Sequence, residues 1–105
     1  MPVNFIYMTA GTQAEAQKIA AKLVECRLAA CVNILENMQS IYRWEGKIQK
    51  DAEVVLIAKT TENLVSELVE KVKSLHSYEC PCIVSLPIID GHAPFLNWIH
   101  DEVKK

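Results

Sequence analysis

The sequence predicts a single α+β domain over 1–105, in the order β-α-β-β-α-β with a short helix at the C-terminus. Three observations carry that reading. Hydrophobic period switches between two and about 3.6 in that order along the chain. Glu45-Gly46 separates two long runs that read as strands, the mark of a hairpin. Composition is even, with three Gly, four Pro, no linker-like tract and no repeat, so no domain boundary is expected. At 105 residues a compact chain buries roughly 65% of the surface it exposes unfolded, enough for one core without staples.

Val3 to Met8 is a β-rich apolar run, closed by Thr9, Ala10 and Gly11. Thr12-x-x-Glu15 then forms a capping box, and Ala16, Ile19, Ala20 and Leu23 share one face of a helix that runs to about Glu25. Ala30 to Trp44 reads as a long strand, alternating best over Ile41, Tyr42, Arg43 and Trp44, and Lys47 to Lys59 is its hairpin partner. Thr60 and Thr61 offer N-caps for a second helix with a stripe of Leu64, Leu68, Val72 and Leu75, ending near His76. Pro81 leads into a last strand, Cys82 to Ile88. Asp90-Gly91 breaks the chain before Phe95, Trp98, Ile99 and Val103 line the terminal helix. This is the order of the ferredoxin-like split unit, an antiparallel sheet with both helices on one face.

A sheet covered on one side alone should alternate apolar with polar residues, because its other face meets water. These strands do not alternate. Phe5 to Met8, Val54 to Ala58 and Cys82 to Val84 are apolar at both parities, so the second face needs cover that two helices and a short third cannot give. Another subunit is the expected cover, and the long hairpin suits an arm that reaches a neighbour.

A net charge of −2 with no basic run argues against nucleic acid and against an anionic membrane surface. No apolar stretch is long enough to span a bilayer and the N-terminus lacks the pattern of a signal peptide, so a cytoplasmic protein is expected. The four cysteines, Cys26, Cys31, Cys80 and Cys82, are then expected as free thiols.

Since the fold hosts many functions, the chemistry must come from motifs. Met8-Thr9-Ala10-Gly11 after strand one has neither the Cys-x-x-Cys of a metal chaperone nor the Arg of an acylphosphatase. No RNA-stacking strand with basic flanks and no glycine-rich phosphate loop is present. A sulfur-rich set remains. Pro81 is expected to hold Cys80-Pro81-Cys82 extended, with its thiols on opposite faces rather than chelating together. Cys31 lies on strand two, and His76 ends helix two with Tyr78 close behind. These residues read either as small buried hydrophobes and a helix terminus, or as soft-metal ligands. A Cys31/His76 nucleophile pair is the weaker alternative, for nothing local marks an oxyanion hole. Lys59 closes five apolar residues, either as the wet end of a strand or as an anion contact in a pocket. Tyr42 and Trp44 flank the hairpin tip, where an aromatic suits an oligomer contact.

The segments R-L-A-A-C-V-N (Arg27 to Asn33), S-I-Y-R-W-E-G-K-I (Ser40 to Ile48), K-T-T (Lys59 to Thr61), H-S-Y-E-C-P (His76 to Pro81) and L-P-I (Leu86 to Ile88) closely resemble the CutA divalent-cation-tolerance family. The resemblance runs nearly end to end. It implies a ferredoxin-like subunit in a tight homotrimer, an assembly shared with PII signalling proteins, and no established catalysis. It also implies binding of copper(II) and other divalent cations, with a role in tolerance to them. The family's copper contacts include a Cys near the end of strand one and a His pair at the end of helix two. Here these positions hold Met8, and Leu75 with His76. The implied metal ligands are therefore His76 and Met8, a softer set that favours Cu(I). Ser77 stands where the family usually has Pro, and Cys82 where it has Glu, a partner for Lys59 in an inter-subunit pocket. Cys31, Lys59, Tyr78 and Cys82 are the expected pocket residues. The competing function is a PII-like sensor that takes a small anionic effector through Lys59 between subunits, and a thiol-dependent enzyme is third.

Overall fold

The computed structural model describes residues 2–105. Its elements are β1 (Val3–Ala10), α1 (Gln13–Glu25), β2 (Cys31–Trp44), β3 (Lys47–Thr61), a 3-10 turn (Glu62–Leu64), α2 (Val65–Leu75), β4 (Ile83–Ile88) and α3 (Ala93–Glu102). The four strands form one antiparallel sheet in the order β2-β3-β1-β4. Among the described residues no helix is long and apolar enough to cross a membrane.

Several boundaries differ from the sequence expectation, and two of them because pairing across the sheet outweighs a local signal. β1 runs on to Ala10, since Thr9 and Ala10 pair with Val55 and Val54. β3 continues through Thr60 and Thr61, which pair with Asn4 and Val3. These threonines therefore do not cap α2. Their hydroxyls are buried without a hydrogen-bond partner among the described residues, and a 3-10 turn opens the helix instead. Ala30 and Cys82, expected to open their strands, each lie one residue before β2 and β4.

Side chains alternate across the sheet. One set, Ile6, Met8 and Ala10 of β1 with Leu56 and Ala58 of β3, packs with Ile19 and Leu23 of α1, Leu68 and Val72 of α2, and Ile99 of α3. This is the core. The opposite parity points away from the helices in two cross-strand rows, Leu86–Phe5–Lys59–Cys31 and Val84–Tyr7–Ile57–Asn33. In this chain Val84 is 50% exposed and Leu86 47%. Ile99 of α3 and Val103 just beyond its end are buried, whereas Phe95 and Trp98 stay partly exposed and stack on each other, ring centroids 5.6 Å apart.

Glu45 and Gly46 both have positive φ, 50° and 78°, the geometry of the tight turn that matches strand twist. Beyond the helices the hairpin carries Tyr42 and Trp44 on one face and Ile41 and Ile48 on the other, all exposed. The arm stretches the molecule to 44 × 25 × 22 Å.

Arg27 ties the C-terminus down. Its left-handed backbone, φ 58°, turns the chain after α1. Its guanidinium donates to the carbonyls of Asp101 and Glu102 at 3.0 and 3.1 Å, and its own carbonyl accepts from Lys104 N–H at 2.9 Å. The last carbonyls of a helix have no partner within it, so Arg27 caps α3 from outside. Arg27→Ala should cost about 1 to 2 kcal/mol. Hydrogen exchange should locate the loss, with α3 amides exposed and those of β1 still protected.

Candidate functional site

On the face away from the helices, the base of the hairpin and the loop after α2 enclose a cleft of about 560 Å³. Tyr7 and Thr9 of β1 form its floor, Ser40, Tyr42 and Trp44 of β2 one wall, and Glu53 of β3 its centre. The Tyr78 to Cys82 loop closes the other side.

The loop is held by two side chains from below. α2 stops at Leu75, and His76 takes an extended conformation that turns its ring inward, its side chain 1% exposed. Its Nδ1 accepts from Tyr78 N–H at 3.0 Å, which places the proton on Nε2, 2.7 Å from the Thr9 carbonyl it donates to. From α1, Glu15 accepts both the Ser77 amide at 2.6 Å and the Ser77 hydroxyl at 3.0 Å. The capping box is thus only half made. Thr12 Oγ1 accepts from Glu15 N–H at 3.1 Å, while the Glu15 carboxylate serves the loop.

Burial works against ionisation of Glu15, but the Ser77 amide and hydroxyl hold its carboxyl below the ordinary value of 4.5. A carboxyl lowered by folding stabilises the fold fully above its unfolded value and loses that contribution as pH falls through the folded one. The melting temperature should therefore drop on acidification below about pH 4.5. Glu15→Ala should remove about 1.5 to 3 kcal/mol at neutral pH, and progressively less as pH falls below about 4.5.

Glu53 is the hub of the cleft. It accepts from the Tyr78 hydroxyl at 2.8 Å and from the Ser40 hydroxyl. Gly11 lies beneath the Tyr78 ring, where a Cβ would come within 3.2 Å of the phenol oxygen, so a side chain there would press on the ring that Glu53 holds. Burial, then Glu53, pushes the Tyr78 phenol well above its ordinary value, and the same two causes raise the Cys82 thiol. Tyr42 donates to Asp51, which raises its phenol too. No Lys or Arg lines the cleft, so its charge is negative.

The expected site residues separate into three places. Tyr78 and Cys82 line the cleft, beside Glu79 and Cys80, so the two cysteines expected on opposite faces meet in one cleft, as side chains two positions apart in an extended chain do. Cys31 and Lys59 are cross-strand neighbours at the other end of the same sheet face, and Lys59 donates to Asn33 Oδ1 there. Met8 is 1% exposed on the helix side of the sheet, within the core. With Nδ1 facing an amide and Nε2 a carbonyl, His76 reaches a metal only by giving up one of those partners. The hub itself, Glu53, was missed by sequence reasoning. Its signal was a carboxylate at the head of the apolar run Val54 to Ala58, the same kind of mark that singled out Lys59 at its end.

The sequence pattern of the family described as CutA1 divalent ion tolerance protein matches residues 4–102. The chain belongs to that family. Among CutA1 relatives, the divalent-cation tolerance protein CutA of Archaeoglobus fulgidus is 46% identical over 101 residues, 96% of this chain and 98% of that one. Its structure, described as that of a periplasmic protein, superposes with a TM-score of 0.94 at 45% identity, covering 97% of this chain and 99% of that one. The CutA1 of Thermus thermophilus superposes with a TM-score of 0.95 at 42% identity over the same shares. Protein CutA of Mus musculus is 43% identical over 93% of this chain, which spans only 55% of that relative's length.

Proposed function

We propose that this CutA1-family protein binds divalent and soft metal ions, copper among them, as a homotrimer of ferredoxin-like subunits, and contributes to tolerance of those ions without catalysis. The observation that carries the reading is the negative cleft, which gathers Cys80, Cys82, Glu53 and Glu79 with no cationic side chain among its lining residues. The β-α-β-β-α-β order with sheet order β2-β3-β1-β4 supports the ferredoxin-like subunit. The exposed apolar ends of the two rows outside the core, Leu86 with Phe5 and Val84 with Tyr7, support the trimer. Names of the relatives in Archaeoglobus fulgidus and Thermus thermophilus support tolerance as the role.

Among the described residues no three His, Cys, Asp or Glu side chains converge as a metal site requires. The soft donors nearest to solvent are Cys80 and Cys82, both exposed and free. A thiolate is the ligand form, and the Cys82 thiol is raised, so uptake displaces a proton and strengthens with pH. Remaining ligands would come from the cleft carboxylates, water or a neighbouring subunit. Copper titration of the free-thiol protein is the test. Cys82→Ser should weaken uptake about tenfold or more, the effect of one charge-assisted contact of ~1.5 to 3 kcal/mol. Unchanged stoichiometry and affinity in both Cys82→Ser and Cys80→Ser would overturn the cleft as the metal site.

An anionic effector held by Lys59 would bind outside this cleft, at the row that also holds Cys31 and Phe5. The compartment we propose is the reducing cytoplasm, on the strength of four unpaired cysteines. The periplasmic description of the Archaeoglobus fulgidus relative is a statement about that protein.

A further inference from the structure

The sheet face away from the helices carries two charges that the chain itself leaves unanswered. Glu53 and Lys59 lie on β3 at the same parity as Val55 and Ile57, so both stand on that face, and both are half-buried already in one subunit. Glu53 accepts from two neutral hydroxyls, Tyr78 and Ser40, and no Lys or Arg lines its cleft. Lys59 donates to the neutral carboxamide of Asn33, and the rows around it, Leu86–Phe5–Lys59–Cys31 and Val84–Tyr7–Ile57–Asn33, hold no carboxylate. Among the described residues neither group forms an ion pair. Six positions of strand, roughly 20 Å, separate them. That is more than twice the screening length of about 8 Å at physiological salt, so they do not serve each other within one chain.

A lone subunit tolerates both charges because water reaches them. Under a neighbour that covers this face, each would leave water with only neutral partners, which costs far more than the same charge paired. The pairing must then come from another copy. A trimer closed by rotation uses head-to-tail contacts, in which one region of a subunit meets a different region of the next. The two ends of this face suit that rule, with a carboxylate at the hairpin end, an ammonium at the other, and neither matched. We infer that in the assembled protein the ammonium of the partner subunit's Lys59 enters the Glu53 cleft and pairs with its carboxylate, three identical ion pairs around the axis. The inference rests on the proposed trimer and adds which ends of the sheet face meet. Lys47 and Asp51, also on this face, are exposed on the hairpin, where water already serves them. Glu79 and the thiols of Cys80 and Cys82 are left in the cleft for a metal cation. An anionic effector reaches Lys59 only by displacing the Glu53 carboxylate.

Sedimentation of the full chain across a range of concentrations, with circular dichroism as the check on folding, tests the pairing by exchange of charge. Glu53→Lys and Lys59→Glu each set like charges against each other three times per trimer. Each should raise the concentration at which half the chains are assembled by about tenfold or more. The chain carrying both exchanges should assemble near the wild-type concentration. Glu53→Gln and Lys59→Met measure the same coupling without a reversed charge, and decide the matter where a reversal unfolds the chain. Their losses should not multiply, the double variant assembling no worse than either single one, whereas independent positions would give the product. Wild-type assembly in either charge-reversed variant overturns the inference, as does a double exchange no better than the single ones, or multiplying losses in the neutral set. Rescue of Glu53→Lys by Lys47→Glu, and not by Lys59→Glu, would give the cleft to the hairpin tip and overturn it too. A wild type that sediments as a monomer removes the trimer itself; a trimeric wild type with indifferent variants removes this pairing alone.

Discussion

Val84→Asp should convert the assembly to folded monomers. In one chain Val84 is 50% exposed on the sheet face away from the helices, beside Tyr7, so a carboxylate there meets water and costs a lone subunit little. In a trimer that covers this face, the same carboxylate would be buried unpaired in each of three copies, at several kcal/mol apiece. The wild-type protein should sediment as three chains of 11.8 kDa at micromolar concentration, and the variant as one. Circular dichroism of the variant should keep its helix and strand content. A wild type that sediments as a monomer, or a variant that stays trimeric, would show that the uncovered rows are not the interface. Because coupled dissociation and unfolding raise apparent stability by mass action, the variant should also melt lower, and its midpoint should no longer depend on protein concentration.

Met8→Ala should cost about 2 to 5 kcal/mol, the usual loss for truncating a buried Met. Met8 is 1% exposed in the core set that includes Ile6, Leu56 and Leu68. Met8→Leu keeps the volume and removes only the sulfur, so it should cost less than about 1.5 kcal/mol. Denaturant unfolding of the two variants measures the first effect, and copper titration of Met8→Leu separates packing from ligation. Unchanged uptake in the leucine variant places Met8 in the core alone. A lost equivalent of copper would make the thioether a ligand after all, reached by an opening of the β1 end of the sheet.

Element types and their order were legible because each rests on nearest neighbours: the 3.6-residue stripe Leu64, Leu68, Val72 and Leu75, the Glu45-Gly46 turn, the Thr12 cap. So was the apolar character of the second face, since a run such as Val54 to Ala58 is apolar at both parities whatever surrounds it. The family was legible in the ordered segments from Arg27 to Ile88. Which thiols and carboxylates meet was not. Cys31 and Cys82 read alike in one dimension, but register puts Cys31 beside Lys59 and sends Cys82 to the opposite end of the sheet face. Met8 and Thr9 are adjacent in sequence, yet the pleat turns one into the core and the other into the cleft. Glu15 looked like a capping-box residue until α2 delivered Ser77 to it, 62 positions away. Long-range pairing decides such partnerships because a one-residue change of register exchanges the faces of a strand, leaving its local pattern untouched.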